Sequence, residues 1–122
     1  VLILGSSHAF RSYHPESIQT NLGITNEVFN FGSAAQTPVT SYFILNEVLK
    51  KHQPKAVILD LYVMVLTSDK QLNNGRYNFH AMPWEANKWD FLKEGFDIKE
   101  KVYLLFFPTS ISMGKWRWPK IK

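Results

Sequence analysis

The sequence has no cysteine, which excludes a disulfide scaffold, a thiolate metal site and a cysteine nucleophile. It has no long apolar run. The longest, residues 56–66, is interrupted by Asp60 and is about half of the ~20 residues a membrane span requires. No pair of its histidines has i, i+4 spacing with carboxylates beside it, so no metal site is expected. No internal repeat and no low-complexity tract occurs. No Gly-Lys-Ser/Thr follows its glycine turns, which excludes a P-loop.

What remains is a chain of 122 residues, 45% hydrophobic and 20% charged. That is enough apolar material for one core and too much for a disordered tail. The charge is uneven. Residues 1–61 carry 4 basic and 4 acidic side chains, whereas residues 62–122 carry 10 basic and 6 acidic ones. Twelve of the 18 aromatic residues also lie after residue 61. The first part, residues 1–66, therefore reads as a regular α/β core. Residues 67–122 read as an aromatic, basic insertion or lid region of the same domain. Lys115, Arg117, Lys120 and Lys122 alternate with Trp116 and Trp118, a pattern that can stack on nucleic-acid bases. No nucleic-acid-binding motif accompanies it, so a surface segment with packed tryptophans is the preferred reading and no nucleic-acid partner is expected.

Hydrophobic patterning gives the order of elements. Residues 1–4 form a buried strand that turns at Gly5. Pro15 opens a helix with Ile18 and Leu22 on one face, and Gly23 suits the left-handed position that ends it. Residues 26–31 form a second strand that stops at Gly32. Thr37 caps a helix with Pro38 at its first position. That helix presents Ser41, Leu45, Val48, Leu49 and His52 on one face and Asn46, Lys50 and Lys51 on the other, with Pro54 marking its end. Residues 56–61 form a third strand, apolar on both faces as in the centre of a parallel sheet. Farther along, residues 69–76 read as loop with a turn at Asn73-Asn74-Gly75. Residues 84–92 can form a helix with Trp84, Lys88, Trp89 and Leu92 on one face. Residues 98–107 suit either helix or strand, and residues 108–114 read as loop.

The order β–α–β–α–β implies right-handed crossovers and a parallel sheet with helices on both faces. Ligands bind such sheets at the carboxyl ends of the strands. Those ends are Gly5-Ser6-Ser7-His8, Gly32-Ser33-Ala34 and the residues around Asp60 and Tyr62. A serine on a strand-to-helix turn is well placed as a nucleophile, because its hydroxyl stands above the sheet and backbone amides face an oxyanion. Ser7 is preferred over Ser6, since it lies one residue nearer the following helix. The second turn has no side chain at Gly32, so its N–H can approach the same oxyanion.

Val1-Leu2-Ile3-Leu4-Gly5-Ser6-Ser7-His8 resembles the first block of the SGNH (GDSL-like) hydrolase superfamily, in the variant where Gly-Ser-Ser replaces Gly-Asp-Ser. Asn30-Phe31-Gly32 resembles the second block, and the resemblance covers about residues 1–66. It implies a flavodoxin-like three-layer α/β/α sandwich with a parallel sheet. It implies a serine hydrolase or esterase acting on O-acyl esters, including acetyl esters of cell-envelope polysaccharide. Ser7 would be the nucleophile, with its own backbone N–H and that of Gly32 holding the oxyanion. The substrate would be an acylated carbohydrate or small ester, the partner a membrane acyltransferase, the location extracytoplasmic or at the cell envelope, and no cofactor would be needed.

Two departures from the family pattern stand out. The third block, Gly-x-Asn-Asp, is replaced by Leu59-Asp60-Leu61-Tyr62-Val63, so its Asn has no counterpart. No Asp-x-x-His occurs, so the family's general base is missing from this chain. The expectation is an N-terminal portion of a larger, incomplete sheet whose base lies beyond Lys122.

His8 follows the candidate nucleophile directly. Adjacent residues diverge in direction, which makes it a poor base for Ser7, and it either contacts substrate or caps the helix. Arg11, four residues past Ser7, can hold an anionic substrate group or form a surface ion pair. Asn30 can touch substrate or order its turn through backbone hydrogen bonds. Asp60 is read as structural, with an acid role as the alternative. His14 starts a helix, His52 is structural, and His80 is the substitute base worth testing. The competing function is a binding module: a catalytically inactive SGNH-like or flavodoxin-like domain for glycan, nucleotide or protein, with Trp84, Trp89, Trp116 and Trp118 available for sugar stacking.

Overall fold

Consecutive residues in a strand point to opposite faces, and Leu2-Ile3-Leu4 is apolar on both. A computed structural model, which describes residues 1–25, 27–62 and 75–107, shows what covers each face. Strand β1 (Leu2–Gly5) is buried along its whole length. It pairs in parallel with β2 (Phe29–Asn30) on one side and β3 (Val57–Asp60) on the other. The sheet order is β2-β1-β3. Helices α1 (Ser7–Ser12) and α2 (Pro15–Leu22) connect β1 to β2. Helix α3 (Pro38–Leu49) connects β2 to β3. Ile3 packs with Ala9 and Val28, and Tyr13 and Ile18 lie against them. Leu2 and Leu4 face the other way, into a cluster with Phe43 and Ile44 of α3. Helices thus lie on both faces of a parallel sheet whose order is that of the flavodoxin-like doubly wound fold.

The chain ends α2 and begins α3 as their residues dictate. Gly23 closes α2 in the left-handed region, at φ 58° and ψ 30°. The Thr37 hydroxyl accepts the Thr40 N–H at 3.2 Å, and Pro38 follows at a position where no N–H is needed.

Beyond the sheet the chain adds α4 (Gly75–Ala81), α5 (Ala86–Gly95) and α6 (Ile98–Phe106). Phe79, Phe91, Phe96 and Leu104 from this part share one core with Leu2, Leu4 and Phe43. Phe91 is fully buried and stacks on Phe43 with ring centroids 4.8 Å apart. Helix α6 is fixed at its start by a reciprocal cap, in which Asp97 accepts the Glu100 N–H and Glu100 accepts the Asp97 N–H. Arg76 pairs with Glu100 at 3.3 Å and ties α4 to α6.

Several expectations are corrected. Strand β2 is only Phe29–Asn30, because it pairs with Leu2 and Ile3 alone. Among the described residues β1 is the central strand and β3 has β1 as its one partner, with Val57, Ile58 and Leu59 exposed. The buried face of α3 is Thr40, Ser41, Phe43 and Ile44, while Leu49 and His52 are exposed. Of the expected face, Ser41 is buried and Leu45 and Val48 pack against the core, so the face is shifted towards Thr40 and Phe43, with the Thr40 and Ser41 hydroxyls satisfied by hydrogen bonds. Trp84 precedes α5, and Lys88 is buried, donating from Nζ to the Met82 carbonyl at 2.7 Å. Its ammonium lies 4.2 Å from the Trp84 ring centroid and 4.7 Å from that of Phe79. Residues 75–76 start a helix rather than continuing a loop. Residues 98–106 are helical. The proposed loop at 108–114 and the Trp116–Trp118 stretch lie outside the described residues.

Two predictions follow from this packing. Phe91→Ala should cost about 3–5 kcal/mol, the range for emptying a large buried aromatic site, measured as a shift in the urea unfolding midpoint. The second concerns His80. Burial, and then the charge of Lys88, push its imidazole below the ordinary value of 6.5. Its Nε2 is buried without a hydrogen-bond partner among the described residues. In the window below about pH 6.5 the unfolded chain binds a proton that the folded chain refuses, so stability falls as pH drops towards the folded value. His80→Gln should flatten that acid loss when unfolding midpoints at about pH 7.5 and about pH 5 are compared.

Candidate active site

The chain passes from β1 to β2 on one side of the sheet and from β2 to β3 across the other. The carboxyl ends of β1 and β3 therefore part at a topological switch point. A cleft of about 10 Å³, room for one water, opens there between Gly5, Ser6, Gln36, Ser41, Asp60 and Tyr62. A larger groove of about 350 Å³ runs past Val1, Glu27, Phe29 and His52 at the amino ends of the strands. That groove contains no serine; the smaller cleft is lined by Ser6 and Ser41, and Ser7, His8, Arg11 and Gly32 are not among its lining residues.

Gly5 makes the close approach at this end. Its φ is 150°, and a Cβ there would meet the Ala9 Cβ at 2.8 Å and the Asp60 Cβ at 2.9 Å. Without that side chain, α1 and β3 come together directly above it. Ser6 is buried and caps α1, accepting the His8 N–H at 3.3 Å. Ser7, the first residue of α1, is half-exposed, and its Oγ makes no hydrogen bond to another described residue. The two serines have thus divided roles: Ser6 holds the turn and Ser7 presents a hydroxyl.

Asn30 is committed to its surroundings. Its Nδ2 donates to the Ala9 carbonyl at 3.0 Å and the Tyr13 carbonyl at 2.8 Å. Its Oδ1 accepts the Gly32 N–H at 2.9 Å. One side chain thereby ties both ends of the turn after β2 to α1, the turn-ordering role expected of it. The same bond occupies the Gly32 N–H, which reaches an oxyanion only by sharing or releasing Asn30. Gly32 is itself tightly packed, since a Cβ there would lie 2.9 Å from the Phe10 backbone nitrogen. Arg11 is exposed in the last turn of α1.

The cleft floor is a chain of hydrogen bonds that the sequence reading did not assemble. Asn78 of α4 donates to the Ser33 hydroxyl at 3.2 Å, and Ser33 donates to Gln36 Oε1 at 2.8 Å. Gln36 Nε2 donates in turn to the Ser41 hydroxyl at 2.9 Å. Gln36 and Ser41 are both buried. A polar network of this kind fixes the loop between β2 and α3 and links it to the later helices.

Asp60 is the other residue whose partner spacing alone did not reveal. It sits opposite Gly5 in the β1–β3 register, and its Oδ2 lies 3.0 Å from His8 Nδ1. The Asp60 side chain is 9% exposed and that of His8 is 59% exposed. The His8 ring lies parallel to Tyr62, with 6.1 Å between centroids and 6° between planes. The negative charge of Asp60, then its hydrogen bond, hold the proton on Tyr13 and raise the pKa of that phenol. Parallel register was the available signal: a residue ending β3 opposite the Gly5 turn must face whatever opens α1. Among the described residues no three His, Asp or Glu side chains gather as a metal site.

Asn30→Ala should remove three hydrogen bonds and cost about 3 kcal/mol at roughly 1 kcal/mol each, read from chemical denaturation. Comparison with family models, with curated proteins and with solved structures finds no match.

Proposed function

We propose that this chain forms the nucleophile-bearing part of a serine ester hydrolase, or of an acyltransferase-related protein, that acts on O-acyl esters. The observation that carries the reading is the position of Ser7. The residue is half-exposed and its hydroxyl makes no hydrogen bond to another described residue, on the first turn after β1, beside the switch point of a parallel sheet. The resemblance of residues 1–32 to the first two SGNH blocks supports the same assignment.

In this reading Ser7 Oγ attacks the acyl carbon while a general base outside the described residues takes its proton, and the Ser7 backbone N–H receives the developing oxyanion; the ester C–O bond then breaks and the same proton leaves with the alcohol. Gly32 adds its N–H as the Asn30 bond yields. The acyl group belongs to a carbohydrate or other small ester, as the resemblance implies, and Arg11 is exposed nearby for an anionic portion of such a polymer. No helix among the described residues is long and apolar enough to cross a membrane. A membrane acyltransferase partner therefore enters only through the resemblance.

A fluorophosphonate probe tests the reading on the protein. Labelling of wild type that disappears in Ser7→Ala and persists in Ser6→Ala is the expected result. Folded wild type that takes no label, or takes it equally in Ser7→Ala, overturns the hydrolase and leaves a binding domain.

A further inference from the structure

Within the reading of Ser7 as nucleophile, we infer that His8, oriented by Asp60, is the proton acceptor for the second half of the reaction, the transfer of the acyl group from Ser7 to water or to an acceptor hydroxyl. His8 and Asp60 are 52 residues apart and meet only because β3 pairs with β1. The contact carries chemical information. An ionised carboxylate only accepts hydrogen bonds, so the proton of a neutral His8 ring resides on Nδ1 and the lone pair on Nε2. Asp60 is nearly buried and fixed against Gly5, so it holds the ring from one side while Tyr62 lies parallel to it. The exposed remainder of the ring faces the solvent from which an acyl acceptor arrives.

His8 is the second residue of α1 and Ser7 the first. Successive helical residues point about 100° apart, which argues against His8 taking the Ser7 proton along a direct hydrogen bond. The same divergence suits a base for the incoming oxygen, which approaches the acyl carbon from outside Ser7. In the step, Nε2 removes the proton from the acceptor O–H as the new C–O bond forms. The bond between the acyl carbon and Ser7 Oγ then breaks, and the proton passes from the imidazolium to Ser7 Oγ through a solvent molecule. The products are the transferred ester, or a free acid when water is the acceptor, with Ser7 and His8 both restored. Asp60 is a positioning residue, because it acts only through His8.

Pre-steady-state hydrolysis of p-nitrophenyl acetate separates the two halves. In His8→Gly the first turnover, seen as a burst of nitrophenol, should keep its amplitude. Steady turnover should fall by about 10²–10⁴, the usual contribution of a general base. The acetyl group should then accumulate on Ser7 and be visible by intact-protein mass, and added imidazole should restore part of the steady rate. Asp60→Asn should show the same split with a smaller fall and no rescue. Two results overturn the inference while leaving the nucleophile in place: Ser7-dependent turnover unchanged in His8→Gly, or a steady rate lost without acetyl-Ser7 accumulating in folded protein. A wild type with no Ser7-dependent burst or labelling overturns the ester reading and this inference together.

Discussion

Gly5 and Asp60 stand opposite each other in a parallel strand pair, at a distance that any side chain on Gly5 would block. Much of the candidate site depends on that approach. It brings the start of α1 over the end of β3, so that His8 reaches the Asp60 carboxylate. It seats Ala9 against the sheet, where Asn30 can bond to its carbonyl. It also leaves Ser7 on the outer side of the turn. The glycine is therefore a packing requirement, and the placement of chemical groups follows from it.

The second support is polar. Asn78, Ser33, Gln36 and Ser41 form one relay from α4 to the cleft floor, and its inner members are buried. A buried amide or hydroxyl without a partner costs about 1–3 kcal/mol, so each member holds the next in place. The later helices thus contribute through Asn78 to the loop that borders the site, as well as through Phe79 and Phe91 to the core. Their aromatic cluster encloses Lys88, whose pKa burial lowers, while Trp84 and Phe79 face its ammonium and the Met82 carbonyl accepts its hydrogen bond.

The buried first strand with its turn at Gly5, the Gly23 stop and the Thr37-Pro38 start were all legible in the sequence, because each depends on local chemistry. So was the convergence of Ser7, Gly32 and Asp60 at one end of a parallel sheet, which depends only on element order. That β3 has only β1 beside it among the described residues was not legible, since strand order is a tertiary property. The face of α3 was legible at Ser41, Leu45 and Val48, whereas Thr40 was missed because it is polar by composition and buried by hydrogen bonding. Asn30 could be read as ordering its turn, but its hold on the Gly32 N–H required the actual geometry. The His8–Asp60 pair needed both the register and the side-chain directions.

The proposed chemistry requires Ser7 and the His8–Asp60 pair to serve one reacting centre. A crystal structure of the protein after reaction with a phosphonate ester tests this directly. The account predicts phosphorus bonded to Ser7 Oγ, His8 Nδ1 still on Asp60, and Nε2 within hydrogen-bond reach of an oxygen on phosphorus. An adduct on another residue, or His8 turned away from an adduct on Ser7, would contradict it.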